Sequence, residues 1–351
     1  MKGNSDKKKD DDQAAVERIR KSRITHVDVL DLARLVIEGN RAALSRAITL
    51  IESQHPEDQK NSALLMRSVL PHSGKSFRVG ITGVPGAGKS TFIEAFGTYL
   101  TGQNRKVAVL TVDPSSESGK GSILGDKTRM ELLSANPDAY IRPSPGSGNL
   151  GGVARKTRET IFLCEAAGFD TILIETIGVG QSETAVHSMS DFFILITIAG
   201  AGDELQGIKR GIMEFADLVL VNKADGENIQ RAKLARQEIA RALHFFREQQ
   251  SGWTAVAEVC SALESTGITE AWNVMLTFQE RSLGSGWFTQ NRNNQTKWWL
   301  NETLKDELSQ AFFLNPKIQK MLPGLEEQLL KLEISNTEAA KKLIGIFRIS
   351  E

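Results

Sequence analysis

The hydrophobic pattern changes rhythm twice along the chain. Residues 13–72 read as helical: Val29, Leu30, Leu32, Leu35 and Val36 form one apolar face, and Leu44, Ala47, Ile48 and Ile51 form another behind a cap at Asn40. Pro71 and Gly74 close that stretch. Short β-rich runs then alternate with helical ones, at Phe77–Thr82, Lys106–Val112, Thr171–Glu175, Asp191–Ile198, Leu218–Val221 and Ala255–Cys260. Several of these runs are apolar throughout, as strands covered on both faces of a mostly parallel sheet must be. Beyond about Gly267 the β-rich runs stop, and Trp298, Trp299, Leu304, Leu308 and Phe312 recur at helical spacing within Lys297–Phe313. The expected fold is α/β, with a mostly parallel central sheet flanked by helices and helical regions at both ends. The expected division is a disordered charged arm over 1–12, a helical region over 13–72, the α/β domain over 73–267 and C-terminal helices over 268–351.

Charge and composition remove several function classes. Among 351 residues, 43 Lys and Arg balance 43 Asp and Glu, so no overall basic charge favours nucleic acid or an anionic membrane. Cys164 and Cys260 have no C-x-x-C partner, which argues against a disulfide framework and a cysteine zinc site and suits a reducing cytoplasm. His26, His55, His72, His187 and His244 are scattered, so no zinc or nickel site stands out. The longest apolar run, Phe192 to Ala199, is well short of the roughly 20 residues a membrane helix needs. The N-terminus lacks an apolar signal core. The expectation is a soluble cytoplasmic protein.

Gly83-Val84-Pro85-Gly86-Ala87-Gly88-Lys89-Ser90, followed by Thr91, fits G-x-x-x-x-G-K-[ST] directly between an expected strand and an expected helix. Glycines there let backbone N–H groups curl around phosphates, Lys89 adds positive charge, and the Ser90 hydroxyl suits Mg²⁺. An ordinary glycine-rich turn fits the same letters, but not with strand, Lys-Ser and helix all in order. Further on, Asn222-Lys223-Ala224-Asp225 leaves the strand Leu218–Val221. A carboxylate at Asp225 accepts from guanine N1–H and its 2-amino group, a pairing adenine does not supply, with Asn222 and the Lys223 stem supporting the base. Ser261, Ala262 and Leu263 follow another strand and offer backbone amides to guanine O6.

Carboxylates at the carboxyl ends of parallel strands face the ligand crevice. Asp113 and Glu175 end two expected strands, and Asp126 lies between them. A Mg²⁺ held by Ser90 and phosphate oxygens needs one or two such groups, with Asp126 closest and Asp113 and Glu175 at short range. Each is equally compatible with a helix cap or a solvated acid. Gly178 is placed to donate its N–H to a γ-phosphate and to swing away after its loss. Lys89, Glu175 and Gly178 are therefore the candidate catalytic set. The Gly200–Gly211 segment is either a further switch or a plain connector. Gln181 does not stand at an established spacing for a water-orienting glutamine.

The ordered runs GITGVPGAGKST, LTVDPSS, ILGDKTRM, ETIGVGQSE, AGAGDELQGIKRG and LVNKAD closely resemble those of the methylmalonyl-CoA mutase-associated GTPases, the MeaB/ArgK/MMAA group. The resemblance covers most of Gly80–Gly211 and adds the guanine motif. It implies a SIMIBI-class GTPase, homodimeric through its C-terminal helices. The implied role is that of a chaperone to an adenosylcobalamin-dependent methylmalonyl-CoA mutase, gating cofactor loading or release and protecting the mutase from inactivation. It also implies that Lys89, Ser90, Asp113, Asp126 and Glu175 surround phosphate and Mg²⁺, that Asn222, Lys223 and Asp225 hold guanine, and that Gly200–Gly211 reports to the mutase. No cobalamin site is identifiable. An older transport label for the group would need a membrane partner that nothing here supplies. Two alternatives share the phosphate loop. A nickel-enzyme metallochaperone would want a His- or Cys-rich metal segment, and a small-molecule kinase would have no need of guanine selection. Val84 stands where a related dimeric ATPase group carries a second lysine. The arm and Gly284–Asn294 have no role in the resemblance.

Overall fold

The computed structural model describes residues 28–112, 130–143, 150–176, 182–200, 210–246 and 250–348. Seven strands form one sheet: β1 (Phe77–Gly83), β2 (Val107–Val112), β3 (Ala139–Arg142), β4 (Thr171–Thr176), β5 (Phe192–Ile198), β6 (Leu218–Asn222) and β7 (Val256–Val259). Their order is β3-β2-β4-β1-β5-β6-β7, and every pairing is parallel. The chain builds leftward from β1 through β4 and then turns to the other side at β5. The crevice outside the carboxyl end of β1 is therefore the topological switch point where such sheets take ligands.

The helices are α1 (Val29–Ile37), α2 (Arg41–Glu52), α3 (Pro56–Val69), α4 (Lys89–Gly102), α5 (Glu131–Ala135), α6 (Leu150–Ala166), α7 (Ser182–His187), α8 (Arg210–Phe215), α9 (Ile229–Leu243), α10 (Ile268–Gly284), α11 (Trp287–Phe313), α12 (Pro316–Leu330) and α13 (Asn336–Arg348). Alternate strand residues feed two cores. Val107, Val109 and Leu173 join Phe92 and Phe96 of α4 and Trp272 and Phe278 of α10. Ala108, Leu110, Ile172 and Ile174 face the other way, onto α6 and onto Leu32, Val36, Leu44 and Ile48 of the first helices. Burial on both faces is why the strands carry no polar alternation. A separate small cluster, Ile318, Leu325, Ile334, Ala339 and Leu343, holds α12 to α13.

Several expectations need adjusting. In α1 the buried face is Val29, Leu32, Ala33 and Val36, whereas Leu30 is 58% exposed; a face spaced by three and four residues excludes the position between. Asn40 caps α2 as expected, accepting from Ala43 N at 3.0 Å. Strand β3 had no counterpart among the expected strands. The C-terminal helix begins ten residues earlier than Lys297, at Trp287. No helix among the described residues is long and apolar enough to cross a membrane.

Charged residues fix the seat of α11. Arg78 lies in β1, yet it is buried, and its Nε and Nη2 reach Glu165 of α6 at 2.9 and 3.0 Å. Glu165 also accepts from Gly74 N and Ser76 Oγ, both at 2.6 Å. Arg292 of α11 donates to Asp191 at 2.8 and 2.6 Å and to the carbonyls of Gly74 and Ser76. Buried pairs of this kind add little against an apolar substitute, but losing one member strands the other charge. Glu165→Ala is therefore expected to destabilise the protein by about 3–5 kcal/mol, measured by urea unfolding.

His187 closes α7 in an aromatic setting, stacked on Phe215 at 4.6 Å and edge-on to Phe193 at 5.6 Å. Burial pushes its pKa down to about 4. An unfolded imidazole titrates near 6.5, so between those values the unfolded chain holds the extra proton. The His187 contribution is thus complete above about pH 6.5 and is lost as the pH falls toward 4. From about pH 7.5 to about pH 5, wild type is expected to lose roughly 2 kcal/mol more than His187→Leu, read from urea unfolding at both values.

Candidate functional site

The glycine-rich segment leaves β1 at the switch point. Gly83 has φ +155°, and a Cβ there would stand 2.1 Å from the Ile196 carbonyl of β5, so only glycine lets the two strands close at this height. Gly88, at φ +88°, caps α4. A Cβ on Gly88 would meet Asn222 Nδ2 at 2.6 Å. That close approach joins two motifs lying far apart in sequence.

Asn222 is buried at the end of β6. Its Nδ2 donates to Ala87 O at 2.7 Å, and its Oδ1 accepts from Ala262 N at 3.0 Å and from Cys260 Sγ at 3.4 Å. Its amide therefore staples the phosphate loop to the Ser261-Ala262-Leu263 segment and does not stand free for a base. Lys223 is exposed at φ +59°, and Asn228 Nδ2 donates to its carbonyl at 2.6 Å. Asp225 accepts through Oδ2 from Ser261 Oγ at 2.6 Å, while Ser261 Oγ accepts from Glu264 N at 3.1 Å. Ser261 and Thr266 form an antiparallel bridge that shapes this loop. Ala262 is buried beneath it, and the Leu263 side chain is 80% exposed.

On the phosphate side, Lys89 Nζ donates to Gly83 O at 2.9 Å and to Val84 O at 3.4 Å, curling back over its own loop. Burial pulls its pKa below the ordinary lysine value, against the opposing pull of Glu175 and Glu183. Ser90 Oγ donates to Glu175 Oε1 at 3.2 Å. Glu175 is buried at the end of β4, and next to it Thr176 shares a 2.8 Å hydroxyl contact with Thr82 of β1. Ser90 and Glu175 present hard oxygen donors together, which suits Mg²⁺ better than any soft metal. No cluster of three or more His, Cys, Asp and Glu residues among the described residues is arranged to hold a metal alone. A cation here would thus share its ligands with phosphate oxygens.

The structure brings Gly83–Ser90, Glu175, Asn222, Asp225 and Ser261 to one rim of the sheet. Asp113, Asp126, Gly178, Gln181 and residues 201–209 of the Gly200–Gly211 segment lie outside the described residues. Glu183 was not singled out in the sequence. It is buried in the first turn of α7 and acts electrostatically on Lys89. Its signal was its place in the first turn of the helix that follows β4.

A phosphate loop rising from the central strand into a helix, with an N-K-x-D turn stapled beside it, defines a parallel-sheet phosphate-loop nucleotide-binding protein. The chain belongs to the family described as methylmalonyl Co-A mutase-associated GTPase MeaB, whose profile matches residues 44–317. It is 47% identical over 325 residues to a probable GTPase of Mycobacterium tuberculosis, spanning 92% of this chain and 97% of that protein. It is 47% identical over 292 residues to the GTPase ArgK of Escherichia coli, spanning 83% and 88% respectively. The mouse mitochondrial methylmalonic aciduria type A homolog is 46% identical over 323 residues, 89% of this chain and 78% of that one. A crystal structure of a LAO/AO transport system kinase superposes with a TM-score of 0.74 at 37% identity, over 93% of this chain and 99% of that one.

Proposed function

We propose that this chain is a Mg²⁺-dependent GTPase that acts as a chaperone of adenosylcobalamin-dependent methylmalonyl-CoA mutase, coupling GTP hydrolysis to cofactor loading, release or protection of the mutase. The observation that carries the GTP reading is the staple between the two motifs. Asn222 locks the phosphate loop and the Ser261–Leu263 segment into one rigid rim, so Asp225 stands at a fixed distance from Lys89 and Ser90. In this reading the Asp225 carboxylate reads the guanine edge and the backbone at Ala262 and Leu263 meets O6. The N–H groups of Gly86–Ser90 cradle the phosphates. Lys89 leaves its loop carbonyls for the β/γ-phosphate oxygens, where its charge counters what develops during phosphoryl transfer.

Ser90 and Glu175, with Asp113 and Asp126, would hold Mg²⁺, which neutralises phosphate charge when bound. Gly178 would contact the γ-phosphate, and Gly200–Gly211 would report to the client. The mutase assignment rests on the family and on the mouse relative's name. The C-terminal helices support a homodimer. Leu300, Leu304 and Leu308 repeat at four-residue spacing on α11 and are 60%, 50% and 63% exposed, a stripe suited to a second copy. The buried free thiols Cys164 and Cys260 suit a reducing cytoplasm.

The test is GTP turnover by the purified protein with and without the methylmalonyl-CoA mutase of the same organism, with ATP as the control nucleotide. Severalfold stimulation confined to GTP is expected. Turnover indifferent to the mutase would remove the client, and preference for ATP would overturn the role of Asp225.

A further inference from the structure

Beyond the nucleotide rim, at the opposite end of β1, three arginines from three elements converge on one groove. It lies between α6 and α11, has a volume of about 350 Å³, and is lined by Arg78, Arg158, Phe162, Phe288, Arg292 and Thr296. The guanidinium carbons of Arg78 and Arg158 both lie over the Phe162 ring, 5.4 and 5.1 Å from its centre, and that of Arg292 lies 4.5 Å from the centre of Phe288.

Two of the three charges are matched, Arg78 by Glu165 and Arg292 by Asp191. Arg158 is not. Among the described residues its guanidinium has one hydrogen bond, to Thr296 Oγ1 at 3.4 Å, and ring contacts with Phe162 and Trp299. No carboxylate among the described residues pairs with it; the adjacent Glu159 acts on it only at longer range. Burial and the neighbouring Arg78 charge hold its pKa down at about 10. A half-buried guanidinium held by aromatic faces against another cation is an electrostatic arrangement that an anion would relieve.

We propose that the groove between α6 and α11 is a second anion site, in which Arg158, backed by Arg78 and Arg292, takes a phosphate group, free or carried on a small molecule. Arg158 of α6 supplies the uncommitted guanidinium, while Arg78 of β1 and Arg292 of α11, already bonded to Glu165 and Asp191, add positive charge from two other elements. That charge favours a phosphate, with its higher negative charge, over a carboxylate. The volume accommodates a phosphorylated small molecule. The site is remote from the phosphate loop and independent of the mutase reading. A bound anion would bridge α6, on the sheet, to α11, at the start of the C-terminal helices.

The experiment uses the full chain loaded with Mg²⁺ and a non-hydrolysable GTP analogue, so that the phosphate loop is filled. Inorganic phosphate and phenyl phosphate are each titrated by calorimetry. One saturable site per chain is expected, with Kd below about 1 mM, and Arg158→Gln weakens it at least tenfold. Arg155→Gln breaks a different α6–α11 contact, the 2.5 Å pair with Glu307, without entering the groove. It is expected to bind as wild type does. Tighter binding of phenyl phosphate marks a phosphorylated molecule as the ligand, and tighter binding of phosphate marks the free ion. Absence of saturable binding in wild type, undiminished binding in Arg158→Gln, or an equal loss in Arg155→Gln would each overturn the proposal.

Discussion

Replacing Asp225 with Asn is expected to turn a protein that prefers GTP into one that prefers xanthosine triphosphate. The geometry sets which way the new amide points. Ser261 Oγ already accepts from Glu264 N and donates to Asp225 Oδ2, so its proton holds an oxygen at that position. An Asn in the same place keeps its carbonyl oxygen toward Ser261 and turns its NH₂ group toward the base edge. There the amide meets the 2-carbonyl of xanthine as a donor, whereas the 2-amino group of guanine meets it donor against donor. Hydrogen bonds to a charged group contribute about 1.5–3 kcal/mol each, so setting donor against donor at the 2-amino group and weakening the N1–H bond to a neutral one should reduce GTP binding by roughly a hundredfold. Competition between fluorescent GTP and unlabelled xanthosine triphosphate measures the reversal. An unchanged preference would dismiss Asp225 as the base reader while leaving the phosphate loop in place.

The parts of this molecule that were legible in the sequence obey local rules. A strand buried on both faces has to be an apolar run, so Phe192–Ile198 and Leu218–Asn222 announced themselves. A phosphate loop needs glycines at fixed offsets, and the Asn40 cap needs a short polar side chain ahead of an apolar periodicity. The four residues of β3, Ala139–Arg142, are too few to show a period and are held by pairing with β2. The first turns of α11 were illegible for a different reason. Arg292 and Gln295 anchor them through Asp191 and the Ser190 carbonyl, and Trp299 reaches the Ser188 carbonyl. A helix seated by polar contacts to distant loops carries no apolar stripe over that stretch.

The same holds inside the site. The motif led to the expectation that Asn222 supports the base. Its bonds to Ala87 and Ala262 depend on β1, β6 and β7 standing in one sheet with their carboxyl ends level, which no local pattern encodes. Arg78 and Glu165 are 87 residues apart, and each alone reads as a surface charge. Their burial is a property of the topology. Trp298 and Trp299 illustrate the limit of composition. Adjacent and chemically identical, they diverge because a helix turns about 100° per residue, which buries Trp299 against α7 and leaves Trp298 37% exposed.

Lys89→Met is expected to lower GTP turnover about a thousandfold while leaving the fold intact. Methionine keeps most of the aliphatic stem, which is the part of Lys89 that packs, and removes only the ammonium. In this structure the ammonium spans Gly83 O and Val84 O, so without it the loop loses two hydrogen bonds, and the buried Glu175 and Glu183 lose a neighbouring positive charge. Glu175 keeps its bond from Ser90. Stability should therefore fall by about 1–3 kcal/mol, too little to unfold the domain. The effect on chemistry is larger, because the charge would act where negative charge gathers on the transferred phosphoryl group. Removing one such preorganised donor costs on the order of 10²–10³ in kcat, and losing a full positive charge lies at or beyond the upper end. Single-turnover hydrolysis with the protein in saturating excess over nucleotide isolates that step from binding, and thermal unfolding monitors the fold. A Lys89→Met protein that hydrolyses GTP within tenfold of wild type would place the phosphate-neutralising charge elsewhere on the rim.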